Sequence, residues 1–254
     1  GGSAKADDWT LTAKTDAPLN DKNISTPGGS GDFETVYSNV DYTMAETGPG
    51  NYSASSWQCV ANVEDANPQF VQEGDTINLE KGEQVTCTIV NTRDTAELKL
   101  VKKVDGGKAK ADEFTLTAKA AAPENDKNIS TAGGSGQFEG VYAGTKYTLA
   151  ETGPAGYTGS QWVCESSEVQ PQFVQNGDTI TLDKGDRVTC TIVNTRDLGS
   201  LTITKEFNAQ TSGFTGTFDI NYTCVDGGDP VKSGTVKLGN GQSEPISGLP
   251  TGTT

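Results

Sequence analysis

Histidine is missing from all 254 residues of the chain. Its absence removes the most frequent general base, the commonest metal-ligating side chain and every nucleophile that relies on a histidine partner. Conventional hydrolases are therefore not expected. Paired carboxylates would still serve a glycosidase, but they need a cleft, and nothing in this sequence indicates one. We expect a protein that is not an enzyme for external substrates and that needs no cofactor.

Positive charge is scarce as well. The chain carries 19 Lys and Arg against 34 Asp and Glu, which gives a formal net charge of −15 and a pI of about 4.3. Phosphate would be repelled, so nucleic acid is not expected as a partner. No apolar run is long enough to span a bilayer, which predicts no membrane contact in this segment. No CxxC pair or acidic loop has the ligand spacing of a metal site, so we expect no metal.

The most prominent feature of the sequence is the alternation of apolar and polar residues. The chain contains 31 Gly and 10 Pro, and no segment keeps apolar residues at helical spacing for three turns. Segments such as "FTLTAKA", "KYTLAET" and "VTCTIVN" alternate in the manner of short strands, and Gly-rich stretches separate them. This pattern predicts an all-β protein built from β-sandwich or β-barrel modules of roughly 100 residues each.

The chain also repeats itself. The segment at 1–14, "GGSAKADDWTLTAK", returns at 106–119 as "GGKAKADEFTLTAK", and "VTCTIVNTRD" occurs at both 85–94 and 188–197. After each "NTRD" comes an alternating segment with a lysine, "LKLVKKV" or "LTITKEF". We interpret this lysine strand as the first strand of a module.

The repeats divide the chain into three modules. Module one, residues 1–94, lacks the lysine strand, which would precede Gly1. Module two, residues 95–197, is complete. Module three, residues 198–254, starts with a lysine strand, diverges from the other two and is truncated at Thr254. Either the sequence is a piece of a longer chain, or the missing strands come from neighbouring subunits.

Three strands of module two each place one polar residue on an otherwise apolar face, because successive side chains of a strand point to opposite sides. The polar residues are Lys102, Glu151 and Asn194. Their companions on the same faces are Leu98, Leu100 and Val104; Tyr147 and Leu149; and Cys190 and Ile192. The ordinary interpretation is a lysine that snorkels to solvent and an asparagine that closes a turn. Three such residues on three strands favour a shared buried site instead.

A site of these three residue types has a specific chemistry. Desolvation favours the neutral forms of an amine and of a carboxylic acid. A neutral amine is a nucleophile, and a neutral acid can polarise an amide carbonyl. We therefore expect the amine of Lys102 to attack the side-chain amide of Asn194, with Glu151 moving the protons and ammonia leaving. The product would be an amide crosslink between the first and last strands.

The motifs around these residues resemble one known family. "YTLAETGPAGY" at 147–157, "YTMAETGPGNY" at 42–52 and "TIVNT" at 88–92 and 191–195 are similar to the motifs of collagen-adhesin B-type domains. These are prealbumin-like, SpaA-like repeats of Gram-positive cell-surface and pilus proteins. The resemblance implies tandem Ig-like or prealbumin-like β-sandwich modules with an intramolecular isopeptide bond. Asn51 replaces the usual glycine of the second motif, and we expect it to alter a turn.

The resemblance also assigns roles to individual residues. It implies that Lys102 is the nucleophile, Asn194 the acceptor and Glu151 the catalytic acid and base. The incomplete modules keep parts of the same set, namely Glu46 and Asn91 in module one and Lys205 in module three.

Five cysteines complete the list of candidate residues. The repeat aligns Cys59 with Cys164 and Cys87 with Cys190. Pairing within each module predicts the disulfides Cys59–Cys87 and Cys164–Cys190 and leaves Cys224 unpaired in this chain. Metal binding is the competing interpretation, although no CxxC pair or histidine supports it. Disulfides indicate an oxidising, extracellular setting.

Together these features favour a structural function. We expect an extracellular stalk, fibre or adhesin segment, attached to the cell wall or surface of a Gram-positive bacterium, whose partners are neighbouring modules or subunits of the same surface protein. The alternative is an adhesin module whose loops, such as 15–31 and 120–136, recognise a host or matrix protein. Near-identity of these loops, with "DKNIST" in both, favours the spacer.

Overall fold

Short strands make up almost all of the regular structure, as the alternation predicts. A computed structural model describes residues 2–28, 31–62, 68–133, 136–166, 168, 172–208 and 213–254. Positions 29–30 and 134–135, in the two loops named above as binding candidates, lie outside this description. No helix among the described residues has the length and apolarity needed to cross a membrane.

Modules one and two share one plan of strands and two short 3-10 helices. In module one the helices are Ala6–Asp8 and Asn20–Lys22, and the strands are β1 (Thr10–Lys14), β2 (Ile24–Pro27), β3 (Asp41–Thr47), β4 (Tyr52–Ala54), β5 (Gln58–Ala61), β6 (Val71–Glu73), β7 (Thr76–Asn78), β8 (Val85–Thr88) and β9 (Asn91–Arg93). In module two the helices are Ala111–Glu113 and Glu124–Lys127, and the strands are β10 (Thr95–Asp105), β11 (Thr115–Lys119), β12 (Ile129–Ala132), β13 (Phe138–Tyr142), β14 (Lys146–Thr152), β15 (Tyr157–Gly159), β16 (Val163–Ser166), β17 (Val174–Asn176), β18 (Thr179–Thr181) and β19 (Arg187–Arg196).

Two sheets face each other in module two. One has the order β13-β10-β19-β15, with β16 also paired to β19, and the other has the order β12-β11-β14-β18-β17. The first strand, β10, lies parallel to the last strand, β19, over nine successive positions. Leu98, Leu100, Tyr147 and Leu149 fill the space between the sheets and are almost completely buried. Each such side chain stabilises the fold by about 1.5–3 kcal/mol relative to an exposed one.

Module one keeps one of these sheets intact, in the order β2-β1-β3-β7-β6. Its other sheet is reduced to the separate pairs β4–β9 and β5–β8. Among its described residues, four form the buried core: Tyr42, Met44, Trp57 and Ile77. The described part of module two contributes seventeen residues to its core. The contrast follows from the first strand, because no described residues of module one occupy the place of β10.

The described residues of module three form two antiparallel pairs of strands. The strands are β20 (Leu198–Lys205), β21 (Phe218–Asp226), β22 (Asp229–Leu238) and β23 (Gln242–Pro250). β20 pairs antiparallel with β23, and β21 pairs antiparallel with β22. Of these pairs, only β21 and β22 are consecutive in the chain.

The expected change of turn at Asn51 is not found. Asn51 has a φ of 62°, and its counterpart Gly156 has a φ of 79°. Asparagine is one of the few residues that adopt this left-handed conformation without much strain, so the turn is kept.

Candidate functional site

Lys102 lies in the interior of module two. Its side chain has no exposed surface, and its Nζ lies 4.3 Å from the centre of the Phe114 ring. Its aliphatic stem passes directly over Gly133, where a Cβ would be only 2.4 Å from the Cβ of the lysine. The backbone N–H of Lys102 donates to the Gly133 carbonyl at 3.1 Å. A glycine is therefore required beneath the stem, and the lysine cannot snorkel to solvent.

Glu151 approaches Lys102 from the opposite sheet. It follows Tyr147 and Leu149 on the inward face of β14, and its Oε2 lies 2.6 Å from Lys102 Nζ. The glutamate side chain is 19% exposed. The buried ammonium of Lys102 is tolerated because it is paired with the Glu151 carboxylate. Removal of one partner from a buried ion pair costs about 3–5 kcal/mol.

Asn194 completes the group from the neighbouring strand. In the parallel ladder Lys102 lies opposite Ile192 and Val104 lies opposite Asn194, so the lysine and the asparagine share the inward face one step apart. Asn194 is 3% exposed, and its Oδ1 has no hydrogen-bond partner. A buried acceptor without a donor costs about 1–3 kcal/mol.

Gly159 has no side chain, which leaves room for the Glu151 carboxylate and the Asn194 amide on the same side of its backbone. Gly159 pairs with Asn194 across β15 and β19. A Cβ at Gly159 would lie 2.7 Å from Glu151 Oε1 and 3.0 Å from Asn194 Oδ1. One carboxylate oxygen thus contacts the lysine while the other lies on the same side of Gly159 as the unpaired amide oxygen. A proton moved from Lys102 to Glu151 would leave a neutral amine and an acid that can donate to Asn194.

Module one holds part of the same arrangement. Asn91 Nδ2 donates to Glu46 Oε2 at 2.7 Å. Trp9 and Tyr52 pack edge to face beside them, as Phe114 and Tyr157 do in module two. No lysine lies between Glu46 and Asn91 in the described part of this module.

In module three the predicted residues are not assembled into such a site. Lys205 Nζ donates to the backbone carbonyl of Glu206 at 2.9 Å and lies 4.9 Å from the centre of the Phe207 ring. Cys224 is a free thiol and is buried.

The remaining four cysteines form the two predicted disulfides. Cys59 is bonded to Cys87 and Cys164 to Cys190. In each case the two residues are directly opposite each other on antiparallel strands. Among the residues that the structure describes, no group of three or more Cys, Asp or Glu is placed to hold a metal ion.

Sequence reasoning missed the arginine of the repeated "NTRD". Arg93 is 8% exposed and its guanidinium lies between two tyrosine rings, 5.3 Å from the centre of Tyr52 and 5.2 Å from the centre of Tyr142. It donates to the Asn51 carbonyl at 2.8 Å and to the Thr145 hydroxyl at 3.0 Å. Tyr52 and Asn51 belong to module one, whereas Tyr142 and Thr145 belong to module two. Arg93 therefore joins the two modules.

Arg196 repeats this arrangement at the next junction. It lies 5.0 Å from the centre of the Tyr157 ring and donates to the Gly156 carbonyl at 3.1 Å. It also donates to the Thr251 carbonyl of module three at 2.5 Å. The sequence does carry a signal for this role. Modules one and two each end with the same arginine, Arg93 or Arg196, and each contains the tyrosine that the arginine contacts, Tyr52 or Tyr157.

Asp94 supports the first junction electrostatically. The Ser53 hydroxyl donates to Asp94 at 2.5 Å, and Lys184 of module two lies 3.2 Å away. Burial of Asp94 opposes its ionisation, but the Ser53 hydrogen bond and the Lys184 ammonium outweigh it and lower the pKa of the carboxyl below its usual value.

In the core of module two, burial raises the pKa of the Tyr147 hydroxyl, which accepts a hydrogen bond from the backbone N–H of Tyr142.

Several solved structures resemble this chain at low sequence identity. The C-terminal fragment of the pilus adhesin SpaC from Lactobacillus rhamnosus GG is 16% identical, with a TM-score of 0.44 over 77% of this chain and 93% of that one. The major pilin T-13 from Streptococcus pyogenes is 16% identical, with a TM-score of 0.37 over 74% and 89%. A Mobiluncus mulieris adhesin, described as containing disulfide, isopeptide and ester crosslinks, is 14% identical, with a TM-score of 0.32 over 73% of each chain.

Family models account for most of the sequence. A search of curated proteins gave no match. Residues 201–254 match a domain family of unknown function, DUF5979. The model of the prealbumin-like fold domain matches twice, at residues 1–89 and 93–192. The chain therefore belongs to the prealbumin-like fold domain family.

Proposed function

We propose that this chain is a load-bearing segment of an extracellular stalk, fibre or adhesin on a bacterial surface, in which module two closes itself with an isopeptide bond between Lys102 and Asn194. One observation carries the proposal. A completely buried lysine is paired at 2.6 Å with Glu151, and the other oxygen of this carboxylate and the unsatisfied amide oxygen of Asn194 lie 2.7 Å and 3.0 Å from the position that a Cβ at Gly159 would occupy.

The reaction requires no outside reagent. Glu151 accepts a proton from Lys102, and the neutral amine attacks Cγ of Asn194 while the acid polarises the amide oxygen. The new C–N bond to Lys102 Nζ forms and the bond from Cγ to Nδ2 breaks. Glu151 passes the second proton of the amine to the departing nitrogen, which leaves as ammonia. The product is a neutral secondary amide, so the cost of burying an ion pair disappears with the charges.

The position of the bond suits a segment that carries tension. The chain enters module two through β10 and leaves it through β19, and these two strands are parallel neighbours. Without a covalent link, a pull on the two ends would be resisted by the hydrogen bonds of the sandwich. A bond between Lys102 and Asn194 would carry that force directly from the first strand to the last.

Other features of the molecule agree with this function. Two disulfides suit an oxidising environment outside the cell. Arg93 and Arg196 fix each module to the next, which would stiffen a row of modules. We propose that residues 1–94, 95–197 and 198–254 are the units of this row.

Single-molecule pulling under reducing conditions tests the proposal. The chain from residue 102 to residue 194 would span about 300–330 Å when fully extended. We expect the wild-type protein to show no extension from this stretch and Lys102→Met to release all of it. Lys103→Met is the matched control, because Lys103 is exposed on the opposite face of β10. Release of the full length by the wild-type protein would contradict the proposal.

A further inference from the structure

Modules one and two meet through two surfaces, a trailing face of module one and a leading face of module two. The trailing face includes residues 51–53 and 93–94, and the leading face includes residues 124, 142–145 and 184. Between the faces, the carbonyl of Asp94 accepts the backbone N–H of Ala143 at 3.0 Å. The junction of modules two and three repeats this bond, because the carbonyl of Asp197 accepts the backbone N–H of Thr251 at 2.9 Å. The two junctions thus share a backbone arrangement, and side chains distinguish them.

At the first junction, module one contributes a side chain and module two contributes the space for it. Asn51 lies so close to Gly144 that a Cβ on the glycine would be 2.5 Å from both Cγ and Oδ1 of the asparagine. Ordinary contacts of a Cβ are 3.4–4 Å. Because Cγ is attached directly to the Cβ of Asn51, a rotation of its amide group alone does not remove the overlap. A larger residue at position 144 would therefore push the trailing face away from module two.

The second junction has the opposite arrangement. Gly156 of module two occupies the position of Asn51, and a Cβ there would lie 2.6 Å from Oγ1 of Thr251 in module three. Here the space belongs to the preceding module and the side chain to the following one. The trailing face of module one would not fit module three, because the Cβ of its asparagine would overlap Thr251.

The part of module one that corresponds to the leading face of module two differs at the same point. Asn39 occupies the position of Gly144. The turn itself is the same, since the two φ angles are 57° and 68°. The backbone N–H of each residue also donates at 2.7 Å to an equivalent carbonyl, that of Leu79 or Leu182. A face of this type has a side chain where module two leaves room for Asn51.

A charged pair marks the same two faces. Arg93 Nε lies 3.6 Å from Glu124 Oε2, and the two side chains are only 6% and 20% exposed. Module one has Leu19 at the position of Glu124. A leading face with leucine would leave the guanidinium of Arg93 at the junction without this counter-charge. Discrimination between similar partners depends on such unpaired groups as well as on favourable contacts.

We propose that Asn51 and Gly144, together with Arg93 and Glu124, determine the order of the modules. The trailing face of module one binds a leading face that has glycine and glutamate at these positions, and it excludes one that has asparagine and leucine, as module one has. The partner it fits is therefore a module of the module-two type. This selectivity matters because modules one and two are similar in sequence and a neighbouring chain would offer both. The inference rests on the row of modules proposed above and not on the crosslink of module two.

The test gives module two the leading-face residues of module one, in the full chain. Gly144→Asn keeps the left-handed turn, because asparagine forms it at position 39, and it introduces the overlap with Asn51. Overpacking of this kind should lower the ratio of docked to undocked junctions by about 5- to 150-fold. Hydrogen exchange of the Ala143 backbone N–H measures this ratio, since its acceptor lies across the junction. The N–H of residue 144 reports on the turn itself, because it donates within module two.

Three further variants make the test specific. Asn51→Gly, added to Gly144→Asn, moves the side chain to the other side of the junction and should restore the protection of Ala143. Gly177→Asn is the matched control and should leave this protection unchanged, because Gly177 also has a left-handed φ, 58°, and nothing lies within 4 Å of an added Cβ. Glu124→Leu removes the counter-charge of Arg93 and should lower the protection by about 2- to 5-fold.

The outcomes separate the order rule from the row of modules. Protection of Ala143 that is unchanged in Gly144→Asn, or that Asn51→Gly does not restore, would overturn the inference. If Gly144→Asn also exposes the N–H of residue 144, the turn has unfolded and Glu124→Leu decides, because unchanged protection in that variant overturns the inference as well. An unprotected Ala143 in the wild-type protein would mean that modules one and two are not docked, and the failure would then extend to the proposed row of modules.

Discussion

Gly159→Ala should slow the proposed crosslinking of module two without unfolding it. The added methyl would lie 2.7 Å from Glu151 Oε1 and 3.0 Å from Asn194 Oδ1, where ordinary contacts are 3.4–4 Å. The carboxylate must therefore retreat by about 0.7 Å from its position beside the amide. A misplacement of about 1 Å costs a reaction that depends on positioning about 100-fold, so we expect crosslinking to be about 10- to 100-fold slower. The overpacking itself costs about 1–3 kcal/mol of folding stability.

The assay follows the reaction during synthesis. A cell-free pulse is quenched in acid at intervals, and the fraction of the branched peptide that joins Lys102 to Asn194 is measured by mass spectrometry. Gly140→Ala is the matched control, because Gly140 lies in β13 with nothing within 4 Å of an added Cβ. Crosslinking of Gly159→Ala at the wild-type rate, with circular dichroism unchanged, would refute the assigned geometry.

Three further perturbations address the site and the junction. Glu151→Gln should abolish the crosslink and lower the free energy of unfolding by about 3–5 kcal/mol, measured in urea, because it leaves the Lys102 ammonium buried without a counter-charge. Arg93→Met should loosen modules one and two by about 1–3 kcal/mol of junction free energy, which small-angle scattering would detect as a broader distribution of shapes. The Asp94–Lys184 contact should hold above the ordinary carboxyl pKa and be lost as pH falls through the lowered pKa of Asp94. Scattering between about pH 5 and pH 2 should show this change, and Asp94→Asn should not.

Alternation of side chains was enough to predict the residues at the centre of the site. A period of two places Lys102, Glu151 and Asn194 on inward faces, and each is on such a face in the structure. The pattern is informative because a buried polar residue violates it, and three violations on three strands point to one place. The pairing of cysteines followed from the repeat in the same way.

Contacts between distant segments could not be predicted in this way. The importance of Gly159 depends on two side chains from other strands, and no local pattern indicates it. Arg93 has an ordinary sequence environment, and its role arises only from the way two tyrosines from different modules meet around it.

Identical sequence also failed to give identical strands. "VTCTIVNTRD" occurs at 85–94 and 188–197 with every residue the same, yet it is one continuous strand from 188 to 196 in module two and is divided into β8 and β9 in module one. A strand needs a partner for its backbone groups, and strand propensity is weaker than that requirement. The local sequence therefore predicts where a strand can form, and the neighbouring strand decides whether it does.

The most direct test of the account is the intact mass of the reduced native protein, followed by tryptic mapping. We expect a mass short by one ammonia and a branched peptide that joins the segment of Lys102 to the segment of Asn194. Full mass, with the two segments recovered as separate peptides, would contradict the self-crosslinking of module two.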